Sequence, residues 1–271
     1  MKTLFKQPLQ NKLFIPFITA GDPDGKATID LAVALQEAGA SAIELGIPYS
    51  DPVADGPVIQ KASSRALKNG MNIVKAMKLV PEMRKKGVNI PIILFTYYNP
   101  VLQLEQESFF ALLRENTIDG LLIPDIPFEE SAELRQKCQE HSISFISLVA
   151  PTSSSRIKMI AENAEGFVYC VSSLGVTGVR KNFDNSITSF LDEVKQYSNV
   201  PVVVGFGVSS KEQVEELSSI CDGVVVGSAL VREIERLQTS LLNKTTRNKA
   251  IDEFREFAKT FGSENESKEY V

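Results

Sequence analysis

The sequence predicts an α/β fold, a single (β/α)8 TIM barrel with extra helices. Eight short, β-rich apolar runs are spaced along the 271 residues, and segments with helical periodicity lie between them. The length also suits one such barrel, which typically needs roughly 250 residues. Alternating strands and helices favour parallel pairing with right-handed crossovers, and eight repeats favour closure into a barrel.

The eight predicted strands are, in chain order, Leu13–Ile18, Ser41–Leu45, Ile90–Phe95, Gly120–Ile123, Ile143–Val149, Gly166–Val171, Val200–Val204 and Gly223–Val226. Between the first two, Leu31 and Leu35 share a helical face, and Gly39 has the position of a C-terminal cap. The longest gap follows the second strand. It predicts one helix that ends near Asn69 and another from Asn72 to Lys86.

An open, doubly wound sheet is the alternative fold for this pattern. The G-x-G-x-x-G fingerprint that such sheets carry after their first strand for dinucleotide binding is absent. No low-complexity linker interrupts the chain, so we expect residues 1–271 to form one β/α-barrel domain. We expect the polar tail, residues 262–271, to be frayed.

Composition excludes several classes of function. The formal net charge of −5 and the lack of a basic stripe argue against a nucleic-acid partner. No stretch approaches the roughly 20 apolar residues that span a bilayer. The three cysteines show no C-x-x-C spacing and no signal peptide is evident, so we expect a cytoplasmic protein without a metal site. The single histidine, His141, precedes a strand, at the end of the barrel opposite the expected active site.

Glu44 is the residue of the second strand that packing explains least. Because side chains alternate along a strand, Ile43 and Leu45 share the helix-facing side, and Glu44 points into the barrel. A buried carboxylate is costly unless it is paired or functional. An ion pair with an inward Lys or Arg is the structural alternative, but none of the eight runs contains either residue. We therefore favour a functional role.

Two carboxylates, Asp51 and Asp55, lie in the loop after this strand, ahead of a plausible helix start at Pro57. Either aspartate could cap that helix or take part in chemistry, and the spacing does not separate the two roles. Glycines also follow strands seven and eight, at Gly207 and Gly227. Such loops let backbone N–H groups approach a phosphate, although tight turns would explain them as well.

Several segments together resemble the tryptophan synthase α subunit family. The most specific is Ile43–Pro57, and weaker matches occur at Pro16–Pro23, Gly175–Gly178 and Gly205–Gly207. The resemblance covers nearly the whole chain, in order. It implies retro-aldol cleavage of indole-3-glycerol phosphate to indole and glyceraldehyde 3-phosphate, with Glu44 and Asp55 as the two catalytic carboxylates.

The resemblance also implies roles for further residues. Those matching positions around the substrate are Phe17, Tyr97, Tyr169 and Phe206, with Thr177 on a lid that orients the catalytic loop. Those matching the phosphate grip are Gly178, Gly207, Gly227 and Ser228. Where some members carry Arg-Ser in the lid, this chain has Ser173-Leu174, which affects the lid and not the chemistry.

The family pairs with a β subunit that holds pyridoxal phosphate and consumes the indole, typically as an α2β2 heterotetramer. Pro48 and Asp51 match residues used in that pairing, and the α subunit itself needs no cofactor. Three alternative functions stay open: a stand-alone lyase, a non-catalytic barrel that only activates a partner, and a phosphate-binding isomerase. We expect the isomerase to need a histidine or a metal, for which His141 is poorly placed.

Overall fold

A computed structural model describes residues 4–5, 9, 11–171, 185–205, 207–208 and 210–262. This part of the chain contains nine strands: β1 (Leu13–Thr19), β2 (Ile43–Gly46), β3 (Ile92–Phe95), β4 (Gly120–Leu122), β5 (Ser144–Phe145), β6 (Ser147–Val149), β7 (Val168–Val171), β8 (Val202–Gly205) and β9 (Gly223–Val226). Their spatial order is β5-β4-β3-β2-β1-β9-β8-β7-β6, and all eight pairs of neighbouring strands in this order are parallel.

The barrel prediction is confirmed, with one correction to the fifth strand. The two ends of the spatial order, β5 and β6, are separated in the chain only by Ile146, so the sheet curves round to meet itself. We predicted one continuous strand over Ile143–Val149. The structure divides it because its first half pairs with β4 alone, whereas its second half pairs with β7 alone.

Twelve helices lie in the described part of the chain: α1 (Gly25–Glu37), α2 (Pro57–Lys68), α3 (Ile73–Met77), α4 (Leu79–Lys85), α5 (Tyr98–Leu102), α6 (Gln106–Glu115), α7 (Ala132–Glu140), α8 (Ile157–Glu162), α9 (Asn185–Tyr197), α10 (Lys211–Ser218), α11 (Ser228–Leu242) and α12 (Arg247–Lys259). Two short 3₁₀ segments, Phe128–Ser131 and Pro151–Arg156, follow β4 and β6. No helix among these residues has the length and apolar content to cross a membrane.

The helix predicted from Asn72 to Lys86 is two helices, α3 and α4, with a break at Lys78. Pro81 explains the break, because it has no backbone N–H to donate to the carbonyl of Met77 four residues earlier. The cap at Gly39 forms as predicted. Its φ is +90°, which suits glycine, and its N–H donates to the carbonyl of Gln36 at 3.0 Å.

Side chains divide into two apolar layers, one inside the barrel and one between strands and helices. The inner layer includes Leu13, Ile15, Phe17, Ile93, Phe95, Leu122, Ile146, Tyr169, Val203 and Val225. The outer layer includes Ile43, Leu45 and the facing sides of the helices. A site at the carboxyl ends of the strands therefore sits on a filled barrel and a packed shell, which hold its residues in place.

Candidate active site

Glu44 lies on the inner face of β2, as the alternation of the strand predicts. It is level with Phe17 on β1 and Ile93 on β3, which both belong to the inner layer. Its side chain is fully buried, and neither carboxylate oxygen has a hydrogen-bond partner among the described residues. Burial raises the pKa of Glu44 to about 8, because no nearby cation or donor offsets the cost of desolvating the charge.

The ion-pair alternative for Glu44 therefore finds no support in the described part of the chain. A carboxyl group with this pKa is mainly protonated at neutral pH, so it can donate a proton to a substrate and then accept one back. Buried, unpartnered carboxyl groups are costly to keep. Such a cost is typical of a group held ready for a ligand.

Tyr169 on β7 shares the barrel interior with Glu44. Its side chain is buried, and desolvation, followed by the negative charges of Glu44 and Asp55, keeps the pKa of its hydroxyl well above the usual value. Gly205 on β8 leaves room for the ring, because a Cβ there would lie 2.2 Å from the Tyr169 Oη. Because the charges of Glu44 and Asp55 both act on Tyr169, these three polar side chains lie close together at this end of the barrel.

Asp55 belongs to this cluster and does not cap α2. The N-cap of that helix is Gly56, with no side-chain hydrogen bond to the helix. The carboxylate of Asp55 instead accepts a hydrogen bond from the Tyr97 hydroxyl. Burial raises the pKa of Asp55 to about 6, although the Tyr97 bond acts in the opposite direction. Asp55 is therefore mainly ionised at pH 7, where Glu44 is mainly protonated.

Tyr97 fixes the loop that carries Asp55. Besides its bond to Asp55, the Tyr97 hydroxyl accepts from the backbone N–H of Ala54 at 3.1 Å. The ring of Tyr49, at the start of the same loop, stacks on Tyr97 with centroids 5.1 Å apart. Asn99 on α5 donates to the Tyr49 hydroxyl at 3.1 Å. The start of the loop is thus held by contacts of Tyr49 with Tyr97 and with Asn99 on α5. The later part is held by the bonds of Ala54 and Asp55 to Tyr97, which follows β3.

Three aromatic rings line the same part of the barrel. Phe17 and Phe95 meet edge to face at 5.5 Å, and Phe95 and Tyr97 meet edge to face at 6.4 Å. Gly46 makes room for Phe17, because a Cβ there would lie 2.3 Å from the tip of the ring. Flat apolar walls beside two carboxyl groups suit a planar heterocycle with one polar atom.

The glycines after β8 and β9 differ in whether backbone conformation explains why the residue is glycine. Gly207 has a φ of +84°, so turn geometry alone accounts for its identity. Gly227 has a φ of −114°, which any residue can adopt, and it directly precedes α11, which begins at Ser228. A Cβ at Gly227 would lie 3.5 Å from Phe17, so this helix N-terminus borders the aromatic wall. The positive end of the 15-residue helix favours an anion there.

Several predicted site residues lie outside the described residues: Thr177, Gly178, Phe206, Ser173, Leu174 and the tail after Gly262.

The two residues predicted to contact a partner differ in their exposure. Asp51 is exposed and accepts from the Ser50 hydroxyl at 2.5 Å, whereas Pro48 is buried. Pro48 can therefore influence a partner only through the course of the loop that it begins.

Among the described residues, no group of three or more His, Cys, Asp or Glu side chains could hold a metal ion. The ring of His141 stacks on Phe110 at 5.1 Å, at the end of α7 and far along the chain from the strand ends that form the site. His141 comes just before β5, so it lies at the end of the barrel opposite the candidate site, as its place in the sequence predicts.

Four residues at or near the site were not predicted from the sequence. Tyr49 was an aromatic residue in an otherwise polar loop, which was a usable signal for a stacking role. Thr19 ends β1 level with Gly46, and its hydroxyl is buried without a partner among the described residues. Val53 and Leu102 are large apolar side chains with exposed fractions of 79% and 59%. Exposure of that size depends on tertiary structure, so no local pattern could reveal it.

Replacing Tyr97 with Phe should lower kcat by about tenfold and shift the acidic limb of the pH–rate profile to higher pH. The reason is that the Tyr97 hydrogen bond lowers the pKa of Asp55, so its loss lets burial raise that pKa further. Steady-state rates from pH 5 to 9 measure both effects. Tyr197→Phe, at the end of α9, is the matched control. An unshifted acidic limb would contradict the role of Tyr97.

Known proteins match this chain over most of its length. The family model described as "Tryptophan synthase alpha chain" matches residues 5–261. The chain is similar to the tryptophan synthase alpha chain of Bacillus velezensis, with 66% identity over 93% of this chain and 95% of that protein. For the tryptophan synthase alpha chain of Bacillus subtilis strain 168 the identity is 64%, over 95% of this chain and 97% of that protein.

Solved structures give the same result. Tryptophan synthase subunit alpha from Legionella pneumophila matches with a TM-score of 0.81 and 32% identity, over 92% of this chain and 91% of that chain. A chain from the tryptophan synthase α2β2 complex of Pyrococcus furiosus matches with a TM-score of 0.81 and 38% identity. That match covers 92% of this chain and 97% of the other.

Proposed function

Because the chain belongs to the tryptophan synthase alpha chain family, we propose that Glu44 and Asp55 carry its reaction. That reaction is the cleavage of indole-3-glycerol phosphate to indole and glyceraldehyde 3-phosphate in tryptophan biosynthesis, so the chain is a carbon–carbon lyase. The observation that carries the assignment of residues is the fully buried, unpartnered carboxyl group of Glu44, together with an Asp55 that is mainly ionised at pH 7.

Glu44 supplies and then recovers the proton that the cleavage needs. Its protonated carboxyl donates to carbon 3 of the indole, which gives an indolenine-like cation. The carboxylate that remains takes the proton from the side-chain hydroxyl. The C–C bond then breaks, its electron pair neutralises the cation to give indole, and the former alcohol carbon becomes the aldehyde of glyceraldehyde 3-phosphate. The raised pKa of Glu44 suits both transfers at neutral pH.

Asp55 stabilises the charge that develops on the ring. An ionised carboxylate accepts a hydrogen bond from the indole N–H, and this bond strengthens as the nitrogen becomes positive. The pKa of about 6 keeps Asp55 ionised when Glu44 is protonated. The bond from Tyr97 and the anchored loop hold the carboxylate in position before substrate arrives.

The remaining residues of the proposed site form two groups, one for the apolar indole ring of the substrate and one for its anionic phosphate. Residues assigned to the indole ring are Phe17, Tyr97, Tyr169 and Phe206. Residues assigned to the phosphate are Gly178, Gly207, Gly227 and Ser228, mainly through backbone N–H groups. The border between Gly227 and Phe17 supports this division, because it places the N-terminus of α11 beside the aromatic wall. Thr177 completes the assignment as the lid residue that orients the catalytic loop.

No cofactor belongs to the proposed mechanism. The indole ring is itself the electron sink, so the bond can break without a metal or pyridoxal phosphate, which the proposal places only in the partner β subunit. A single domain over residues 1–271 and a cytoplasmic location are further parts of the proposal. The single domain rests on the lack of a low-complexity linker, and the location rests on the family's role in amino-acid biosynthesis.

The β subunit is the proposed partner, in an α2β2 heterotetramer such as the Pyrococcus furiosus complex. Asp51 and the exposed Val53 are in the loop that carries Asp55, and Leu102 ends α5, which contacts that loop through Asn99 and Tyr49. We assign these exposed apolar side chains to the proposed contact with the β subunit. A partner bound there would contact the loop that positions Asp55, so its binding could change the rate of the lyase reaction.

The test is indole release from indole-3-glycerol phosphate by the purified chain, with and without a β subunit. Glu44→Gln and Asp55→Asn should each lower turnover by about 10²–10⁴-fold. The control is Asp252→Asn, at an exposed position of α12, which should keep the wild-type rate. Wild-type turnover in either active-site variant would refute the assignment.

The same assay separates the alternative functions. A rate that does not change when a β subunit is added would identify a stand-alone lyase. A chain without lyase activity that still stimulates a β subunit would be a non-catalytic activator. Isomerisation of a triose phosphate would identify the isomerase.

A further inference from the structure

Arg65 joins α2 to two other segments of the chain through three charge-assisted hydrogen bonds. Its Nε and Nη2 donate to Oδ1 and Oδ2 of Asp22 at 2.8 and 2.9 Å, so this pair is bidentate. Its Nη1 donates to Oε1 of Glu235 at 2.8 Å. Asp22 lies in the loop between β1 and α1, and Glu235 lies on α11. We call these three residues the Arg65 clasp.

The clasp is largely removed from water. The side chains of Asp22 and Arg65 are 2% and 18% exposed, whereas that of Glu235 is 40% exposed. Burial raises the pKa of Asp22, and the bond from Arg65 opposes that rise without cancelling it. A buried ion pair often adds less stability than apolar side chains of similar volume would, because both charges lose their hydration. The arrangement of the joined segments is therefore a better explanation for the clasp than stability.

α2 connects two sides of the proposed substrate site. It begins at Pro57, two residues after Asp55, which Tyr97 holds beyond the end of β3. Its last turn contains Arg65, about 12 Å further along the helix at 1.5 Å per residue, and there it meets α11. α11 is the helix whose N-terminus is assigned to the phosphate. The bond from Arg65 therefore ties the helix that follows Asp55 to the helix that faces the phosphate.

Apolar packing brings the same two helices together but does not fix how they slide. Ala62 of α2 and Val231 of α11 both belong to the inner apolar layer, together with Phe17. Val58 and Ile59, at the start of α2, pack against that layer. Apolar contacts have no preferred direction, whereas a guanidinium bound to two carboxylates has a fixed geometry. The clasp therefore determines the position of α2 along α11.

We propose that Arg65 is a positioning residue for the lyase reaction. By holding α2 against α11, it sets the separation between Asp55, which accepts from the indole N–H, and the N-terminus of α11, which binds the phosphate. One substrate molecule must reach both, so an error in this separation displaces the reacting carbon from Glu44. The inference rests on the proposed function, because it uses the two ends of that substrate.

Glu235→Ala is the first test, since it removes the link to α11 and leaves the bidentate pair with Asp22 in place. We expect kcat for indole release to fall about tenfold, because a displacement of about 1 Å can cost about 10²-fold. Arg65→Lys keeps the charge but lacks the fork that binds two carboxylates, so it should give a similar loss. The double variant should lose little more than Arg65→Lys alone, because both changes break one contact.

Binding of glycerol 3-phosphate, measured by calorimetry, separates positioning from damage to the fold. This probe carries a phosphate and no indole, so it needs only the α11 end of the site. Its affinity and its stoichiometry should be the same in Glu235→Ala as in wild type. The stoichiometry counts the folded sites, so kcat can be expressed per site.

Arg247→Lys is the matched control. Arg247 is 11% exposed and pairs at 3.0 Å with Asp24, in the same segment between β1 and α1, but it lies on α12, which has no part in the proposed site. This variant should keep the wild-type kcat per site.

Three results would overturn the inference. The first is a wild-type kcat per site in both Glu235→Ala and Arg65→Lys. The second is a loss of glycerol 3-phosphate affinity as large as the loss of kcat, which would assign the clasp to the phosphate site alone. The third is an equal loss in Arg247→Lys, which would assign the effect to general loosening of the segment. Failure of the proposed function looks different, because the wild-type chain itself would then release no indole.

Discussion

Replacing Glu44 with Gln should stabilise the protein by an amount that grows as the pH rises from about 4.5 to about 8. In the wild type, the folded state holds a proton on Glu44 throughout this range, whereas the unfolded chain has lost it. The folded state is therefore penalised progressively as the pH rises. Glutamine does not titrate, so the variant escapes a penalty of up to about 5 kcal/mol at pH 9.

Denaturant unfolding at pH 4, 6, 8 and 9 measures this difference. Glu165→Gln is the matched control, because Glu165 is also buried but accepts hydrogen bonds from the side chain of Gln139 at 2.7 Å and the N–H of Phe145 at 3.4 Å. Because its oxygens already have partners, Glu165→Gln should not raise the free energy of unfolding above that of wild type at any of these pH values. If the free-energy difference between Glu44→Gln and wild type is the same at every pH, Glu44 is not a proton-holding group in the folded protein.

The second large effect concerns catalysis: kcat/KM for indole release should follow a bell-shaped pH profile with its maximum near pH 7. The rate should rise as Asp55 ionises around pH 6 and fall as Glu44 loses its proton around pH 8. The acid must be protonated and the stabilising carboxylate ionised at the same time, so only the range between the two pKa values supports the reaction.

Asp55→Asn should lower the rate by about 10²–10⁴-fold, displace the acidic limb and leave the alkaline limb in place. The phosphate group of the substrate also titrates near pH 6, so the comparison with a control decides the assignment. Asp252→Asn should retain the full wild-type profile. An acidic limb that is identical in Asp55→Asn and wild type would assign that limb to the phosphate and contradict the role of Asp55.

The sequence predicted those features that depend on local periodicity. Alternation along β2 placed Glu44 inside the barrel, because a strand has only two faces and Ile43 and Leu45 occupy the outer one. Spacing could not decide whether Asp55 caps α2. That decision depends on the bond from Tyr97, more than 40 residues further along the chain, and such a contact appears only when β2 and β3 are brought together.

Two errors in the predicted elements have different physical causes. The division of the fifth strand at Ile146 depends on which neighbour each half finds, β4 or β7, and an apolar run carries no such information. The division between α3 and α4 had a local signal in Pro81, which the predicted helix from Asn72 to Lys86 ignored.

The central claim is that Glu44 is protonated at neutral pH because the barrel buries its carboxyl group without a partner. The most direct test is NMR titration of a chain labelled with ¹³C at the side-chain carboxyl carbons of Glu, with Glu44→Gln used to assign the signal. The account predicts that the Glu44 signal titrates with a pKa of about 8. A pKa near 4.5, that of an exposed glutamate, would contradict it.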